Sequence, residues 1–110
     1  MSYKIIATEP FEQRVKRLSK KHKSIKDDLT SIFKQITNNP TLGKPLGKGC
    51  YKIRIAITSK GKGKSGGGRL ITYVRIIHKT VFLLDIYDKS DKTTISDKEL
   101  RLLIELLAEK

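Results

Sequence analysis

The sequence predicts an α+β protein, with a small antiparallel-rich sheet, an N-terminal helical hairpin packed on one face and a C-terminal helix. Two observations predict this class. Two amphipathic helical stripes occupy the first part of the chain, and three strand-like runs follow them before a last amphipathic stripe. The predicted element order is β-α-α-β-β-β-α. A length of 110 residues with 37% hydrophobic side chains fits one domain, 1–110, with its own core.

The N-terminal elements are a short strand and the helical hairpin. Residues 3–7 form a β-prone run, and Pro10 then suits the first turn of a helix. Ser24 and Asp27 resemble a capping box for a second helix, which the Asn-Asn-Pro run at 38–40 ends. Apolar residues at helical spacing predict the buried face of each helix. They are Phe11, Val15 and Leu18 in the first helix and Ile25, Leu29, Ile32, Phe33 and Ile36 in the second.

Three strands are predicted in the second half of the chain. The first begins at Tyr51 and alternates, with apolar side chains on one face and Lys52 and Arg54 on the other. A tight connection separates the second and third strands, so we expect them to pair antiparallel. The predicted loops cover 41–49 and, as a flexible basic glycine-rich segment, 59–68; the second and third strands cover 69–77 and 81–87.

A C-terminal amphipathic helix is predicted over 96–109. Ser96 and Glu99 have the spacing of a full capping box, and Ile95 and Leu100 are placed for a hydrophobic staple around it. The pattern leaves open whether this helix docks on the domain or is mobile.

The charge distribution predicts a polyanionic partner. Lys and Arg number 24 against 11 Asp and Glu, a formal net charge of +13. Residues 29–84 contain eleven basic residues and no acidic one. Because a half of the chain without carboxylates attracts phosphates, nucleic acid is the predicted partner.

Several classes of protein do not fit the sequence. Cys50 is the lone cysteine, which excludes an intramolecular disulfide framework and suits a reducing compartment. No apolar run approaches the roughly 20 residues that a membrane-spanning helix needs, and the N-terminus lacks the apolar stretch of a signal peptide. We therefore expect a cytoplasmic protein without a membrane partner.

No metal or cofactor site is predicted. His22 and His78 have neither acidic neighbours in sequence nor a Cys–His metal spacing, and both are expected at the surface. Gly61–Gly66 matches a dinucleotide-binding fingerprint, but a strand rather than a helix follows it. Any catalysis is therefore expected to be metal-independent and to use Lys, Arg, Tyr or the few acids.

RNA cleavage is a reaction that such side chains can perform. It needs a base for the 2′-hydroxyl proton, a cation beside the developing phosphorane and a proton donor for the 5′-oxygen. Neighbouring cations lower the pKa of a lysine toward neutrality, and arginine clamps phosphate with two N–H groups. Lys52, Arg54 and Arg69 are placed to meet on one sheet face.

Three segments occur in an order that is typical of a known family. They are Cys50–Arg54, Ser65–Ile71 and Leu83–Lys89, the last a Leu-Leu-x-Ile-Tyr-x-Lys string after a Gly-Gly-x-Arg strand. With them, nearly the whole chain resembles the RelE/ParE toxin superfamily, most closely its RelE/HigB-like mRNA interferase branch. The resemblance implies a type II toxin–antitoxin module and ribosome-dependent cleavage of mRNA in the A site. It also implies a cognate antitoxin protein, the ribosome and mRNA as partners, and no cofactor.

The resemblance assigns roles to individual residues. Lys52 and Arg54 match the family's basic pair, Arg69 matches the arginine that opens the next strand, and Lys89 matches a basic position past the last strand. It implies that Lys52 or Lys89 acts as base or acid. Arg54 and Arg69 would bind the scissile phosphate, while Tyr87 would stack on a base or orient the substrate. Further RNA contacts are predicted from Lys60, Lys62, Lys64 and Arg75.

Other functions stay open on the sequence alone. Family members often carry a catalytic tyrosine or histidine where this chain has Thr94–Ser96, so an inactive toxin descendant is one alternative. ParE-like relatives inhibit gyrase without cutting RNA, and a basic RNA- or ribosome-binding module is a third alternative. The aromatic content of 6% argues against a platform that stacks free single strands.

Overall fold

A computed structural model describes residues 3–61, 63–92 and 94–108 as a mixed sheet with helices on both faces. The sheet order is β1-β5-β4-β3-β2, with β1 parallel to β5 and every other pair antiparallel. The predicted α+β class is confirmed. The elements are β1 (Lys4–Ala7), α1 (Glu9–Lys21), α2 (Ile25–Asn38), β2 (Lys44–Gly47), β3 (Cys50–Ile55), a 3-10 turn (Thr58–Lys60), β4 (Gly68–Arg75), β5 (Thr80–Asp88) and α3 (Asp97–Ala108).

The edge strand β2 was not predicted, because its residues lie within the segment expected to be a loop. Pro45 cannot donate to a neighbouring strand, which argues against a central strand but is tolerated at an edge. Lys44 pairs with Lys52 and Pro45 with Tyr51, and the register shifts before Gly47. The glycines and the proline are therefore compatible with a short, irregular edge strand.

The two helices of the hairpin begin differently from each other. Thr8 caps α1, because its hydroxyl oxygen accepts a hydrogen bond from the Phe11 backbone N–H at 3.5 Å. The capping box predicted at the start of α2 does not form. Ser24 is in the αR region (φ −83°, ψ −5°) rather than extended, and its hydroxyl donates to Asp28 Oδ2 at 2.7 Å.

Two hydrophobic clusters lie on opposite faces of the sheet. On the first face, the predicted stripes of α1 and α2 pack against the apolar side chains of β3, with Val15 and Phe33 only partly buried. On the second face, Ile71 and Leu84 pack against Leu100 of α3. Strand alternation thus places Lys52 and Arg54 on the face opposite Ile53, as predicted.

Helix α3 is docked through its N-terminal end. The Glu99 N–H donates to Ser96 Oγ at 3.1 Å and the Ser96 N–H donates to Glu99 Oε1 at 3.3 Å, so the predicted capping box is confirmed. Ile95 and Leu100 are both buried beside it. The observed helix ends at Ala108, and residue 109 of the predicted range lies outside the described residues.

The hairpin between β4 and β5 turns earlier than predicted. The second strand was expected to reach Ile77, but β4 ends at Arg75. Ile76 and Ile77 are 70% and 91% exposed in a turn that the Lys79 N–H closes by donating to the Ile76 carbonyl at 3.1 Å. Turn geometry has overridden the β-propensity of two isoleucines. Across the described ranges, no helix is long and apolar enough to cross a membrane.

Candidate active site

A groove of about 580 Å³ opens along the edge of β3, beside Lys44 at the start of β2. Ile32 and Gln35 of α2 form one wall, and the segment that precedes β4 forms another. Six basic residues, which we call the groove cations, line it. They are Lys44 from β2, Lys52 and Arg54 from β3, Lys64, Arg69 from β4, and Lys89 just after β5. The groove thus contains all four residues predicted to be catalytic, and one of the predicted RNA contacts.

The strand register places like charges directly opposite each other. Lys44 pairs with Lys52 across β2 and β3, and Arg54 pairs with Arg69 across β3 and β4. Like charges in directly opposed cross-strand positions destabilise a sheet. A bound anion would relieve this repulsion.

No carboxylate among the described residues forms an ion pair with a groove cation. Asp85 instead lies 3.7 Å from Arg14 Nε and 3.9 Å from Lys92 Nζ. Asp88, at the end of β5, is bound by His22 and Lys60. The two acids of β5 are therefore directed away from the groove.

Lys52 has the environment expected of a proton-transfer group. Burial lowers the pKa of its ammonium below the ordinary value for lysine. The positive charges of Lys44, Arg69 and Arg54, in that order, lower the pKa further. A larger fraction of Lys52 is therefore neutral near neutral pH than for an isolated lysine, which suits it to accept a proton.

Arg69 is oriented by backbone carbonyls rather than by an acid. Its Nη1 donates to the Lys64 and Gly68 carbonyls at 3.1 and 2.9 Å, and its Nη2 donates to the Ser65 carbonyl at 3.4 Å. The residue is only 5% exposed. Because three of five N–H groups are engaged, Nε–H and one Nη2–H remain for a phosphate oxygen. These hydrogen bonds hold the guanidinium in a fixed orientation.

Two of the predicted RNA contacts, Lys60 and Arg75, are not available in the groove. Lys60 donates to Asp88 Oδ1 at 2.6 Å and to Ser90 Oγ at 2.9 Å, and its side chain is 10% exposed. Arg75 lies at the other end of β4 from Arg69, roughly 20 Å along the strand, with its guanidinium 5.8 Å from the Tyr73 ring centre. Lys62, a further predicted contact, lies outside the described residues.

Tyr87 is also placed differently from the prediction. It lies opposite Arg69 on the same sheet face, but it is 2% exposed, and Lys92 Nζ lies 5.0 Å from its ring centre. Burial raises the pKa of its hydroxyl. Its ring therefore cannot stack on a base in this structure, although it packs where it can support Arg69. Ile95, in the segment where the resemblance implies that a catalytic tyrosine or histidine is missing, is buried in the core.

Lys44 is the groove residue that sequence reasoning missed. Its signal was weak, because a lysine between glycine and proline in a predicted loop has no strand alternation to place it. Gly43 makes its position possible: φ is +105°, and a Cβ there would lie 2.5 Å from the Lys52 carbonyl oxygen. A glycine lets the backbone pass close to β3 and brings Lys44 beside Lys52.

Cys50 and His22, which the sequence also offered as reactive side chains, do not line the groove. Cys50 is 1% exposed and burial raises the pKa of its thiol to about 11, in agreement with the predicted inert, buried residue. His22 was expected at the surface, but it is mostly buried and its Nε2 lies 2.9 Å from Asp88 Oδ2. Among the described residues, no group of three or more His, Cys, Asp or Glu side chains is arranged to hold a metal ion.

Comparisons with known proteins agree with this architecture. The free E. coli RelE toxin, in an arginine double-mutant form, is 18% identical with a TM-score of 0.62, over 96% of this chain and 97% of that one. The toxin in the E. coli RelBE complex is 19% identical with a TM-score of 0.61, over 79% and 96%. A RelBE toxin–antitoxin complex from Mycobacterium tuberculosis contains a chain 18% identical with a TM-score of 0.59, over 80% and 99%. At these identities the likeness shows the fold.

The family itself is shown by sequence. A family model described as "RelE toxin of RelE / RelB toxin-antitoxin system" matches residues 6–109, nearly the whole chain. The matched range includes all six groove cations. The protein therefore belongs to the RelE toxin family.

Proposed function

We propose that this protein is the toxin of a type II toxin–antitoxin module and a ribosome-dependent endoribonuclease that cleaves mRNA in the A site and so inhibits translation. The observation that supports this most is the set of unpaired groove cations around a lysine with a lowered pKa. An RNA backbone supplies the negative charge that would relieve the repulsion between the opposed cations.

The chemistry requires three functions from the groove. A base removes the proton from a 2′-hydroxyl as its oxygen attacks the adjacent phosphorus. The phosphorane that forms carries extra negative charge, which Arg54 and the preoriented Arg69 stabilise. The bond to the 5′-oxygen then breaks, that oxygen takes a proton from an acid, and a 2′,3′-cyclic phosphate remains. The lowered pKa favours Lys52 as base, with Lys89 across the groove as donor.

The shape of the groove favours a substrate that is presented by another molecule. Among the described residues that line it, none is aromatic, and Tyr87 is buried. Free single strands are usually held by aromatic side chains on which bases stack. A groove that binds phosphates but offers no surface to a base depends on something else to position the RNA, and the ribosome does this for mRNA.

An antitoxin protein is the proposed regulatory partner. Similar folds occur in RelBE toxin–antitoxin complexes from two bacteria. Six cations in one groove would be complemented by an acidic segment of the partner. We therefore expect the antitoxin of this protein to place carboxylates over the groove and to block access to RNA.

The test is cleavage of mRNA by purified protein, mapped by primer extension, with and without translating ribosomes. We expect cuts at codon-phased positions in the ribosome arm alone. The variant with Lys52, Arg54 and Arg69 all changed to Ala should lose these cuts. Arg75→Ala is the matched control, because it removes a cation from the same strand as Arg69 but outside the groove.

The remaining outcomes separate the alternatives. Cuts without ribosomes would identify a free ribonuclease. No cuts in either arm would contradict the proposed activity and favour gyrase inhibition, simple RNA binding or an inactive descendant.

A further inference from the structure

We propose that Asp88 is a positioning residue of the groove, which orients Arg69 and Lys89 from behind without contacting RNA. Asp88 binds Lys60 and thereby restrains the following segment, whose backbone carbonyls accept hydrogen bonds from Arg69. This inference rests on the proposed function for its kinetic test, but its geometry concerns the protein alone.

The carboxylate of Asp88 is the centre of a buried polar cluster. Asp88 is 3% exposed, and Lys60 Nζ donates to its Oδ1 at 2.6 Å. His22 Nε2 lies 2.9 Å from Oδ2, and the Ser90 N–H donates to Oδ1 at 2.9 Å. These four residues, the Asp88 cluster, join the end of α1, the 3-10 turn and the end of β5.

Hydrogen bonds in and around the Asp88 cluster anchor the segment Gly63–Gly67, which precedes β4. Upstream of it, the Thr58 hydroxyl donates to Asp28 Oδ1 at 2.6 Å and Lys60 is bound to Asp88. At its other end, the Gly67 carbonyl accepts a hydrogen bond from the Lys89 N–H at 3.0 Å. A Cβ on Gly67 would collide with the Ile55 carbonyl oxygen, so the backbone is pressed against β3 there.

This anchored segment supplies the carbonyls that orient Arg69. The Lys64 and Ser65 carbonyl oxygens accept bonds from its guanidinium, and Lys64 also lines the groove. Lys89 is the next residue after Asp88, and its backbone N–H joins β5 to Gly67. The Asp88 carboxylate is thus linked to Arg69 and to Lys89 through a few bonds.

Loss of the Asp88 charge should release this connection. A buried ion pair broken at one partner leaves an uncompensated charge that is strongly unfavourable in the interior. The Lys60 ammonium would then move toward water and shift the end of the 3-10 turn at Lys60, while Thr58 stays bound to Asp28. The carbonyls that hold Arg69 would shift, and displacements of about 1 Å far from the chemistry can reduce a rate by ~10²-fold.

The kinetic test compares Asp88→Asn with wild type in single-turnover cleavage on ribosomes. We expect the maximal rate to fall by about 10-fold or more, while the ribosome concentration that gives half the maximal rate changes less than about twofold. Lys60→Arg, which keeps the ion pair, should restore most of the rate that Lys60→Met loses. Asp91→Asn is the matched control, because it removes an exposed carboxylate three residues away.

A second readout does not depend on cleavage. The two Nη signals of Arg69 in ¹⁵N NMR should be distinct in wild type, where carbonyls hold the guanidinium, and should merge in Asp88→Asn. If Asp88→Asn is unfolded in a thermal melt, Lys60→Met provides both readouts, since Asp88 then keeps its bonds from His22 and Ser90.

The outcomes separate the two proposals. A wild type that does not cleave contradicts the proposed function, and the NMR signals still decide whether Asp88 positions Arg69. A folded Asp88→Asn or Lys60→Met variant with distinct Arg69 signals overturns the inference, as does an unchanged maximal rate in an otherwise active protein. A lower melting temperature with neither effect would mean that Asp88 is structural alone.

Discussion

The groove and the Asp88 cluster both contain lysines from the acid-free half of the chain, yet their lysines differ in what they can bind. Lys52 and Lys64 line the groove without a carboxylate partner among the described residues. Lys60, four residues before Lys64, is bound to Asp88 and is nearly buried. A basic segment therefore does not present all its cations to a polyanion, because the fold directs some of them to acids from elsewhere in the chain.

Lys92 supports the same comparison. It donates to Glu99 at 2.6 Å, lies 3.9 Å from Asp85 and covers the Tyr87 ring. The Lys92 ammonium therefore bridges β5 and the start of α3. The carboxylates of the ion pairs among the described residues, Asp85, Asp88, Asp91 and Glu99, all lie in the acidic C-terminal region, and none of them pairs with a groove cation.

The largest effect is expected from Arg69→Ala. Removal of a preorganised cation beside the developing phosphorane should reduce the maximal cleavage rate by ~10²-fold or more. Single-turnover primer extension measures it, and a thermal melt shows whether the variant is folded. Arg75→Ala should cleave like wild type; if it loses as much as Arg69→Ala, the groove is not the site.

Lys52 should be the next most sensitive position, and its effect depends on pH. As base, Lys52 acts when neutral, so the wild-type rate should rise with pH as it loses its proton, from a lower pH than an ordinary lysine allows. Lys52→Met should lose about 10²-fold and the rising limb with it. Lys52→Arg keeps the charge but cannot act as base, so a fast Lys52→Arg variant would assign the base to Lys89.

Substitutions at Lys64 and Lys60 test the difference between the groove and the Asp88 cluster most directly. Lys64→Ala should reduce the slope of log affinity against log salt by about one, because one phosphate contact is lost. Lys60→Met should leave this slope unchanged, because Asp88 already neutralises that charge. Binding to ribosomes at a series of salt concentrations measures both, and equal slopes in the two variants would remove the distinction between the regions.

Lys44→Met should have the smallest effect. Its positive charge is one cause of the lowered pKa of Lys52, so its removal raises that pKa and leaves less neutral Lys52 at neutral pH. The rate should fall modestly at neutral pH and recover at higher pH. A uniform loss at every pH would instead mean that Lys44 binds phosphate directly.

Local pattern predicted most elements of the fold. The helical stripes, the alternation of β3 and the capping box at Ser96 depend on neighbours in sequence, and the structure has all three. The strand β2 and the early turn at Ile76 were missed, because pairing at a sheet edge and turn geometry are set by contacts that periodicity does not contain. The capping box at Ser24 failed because Asp28 and Ser59 compete for the hydroxyl.

The family, the class of fold and the excess of cations in a segment without acids could all be predicted from the amino-acid sequence. Which of these cations pair with an acid depends on the tertiary fold. Lys60 meets an acid 28 residues away, and His22 meets the same acid across 66 residues. Lys44 joins the groove through an edge strand, while Tyr87 is buried beside it. Composition determines the charge of a segment, but the availability of each charge depends on the carboxylates that folding brings within a few ångströms of it.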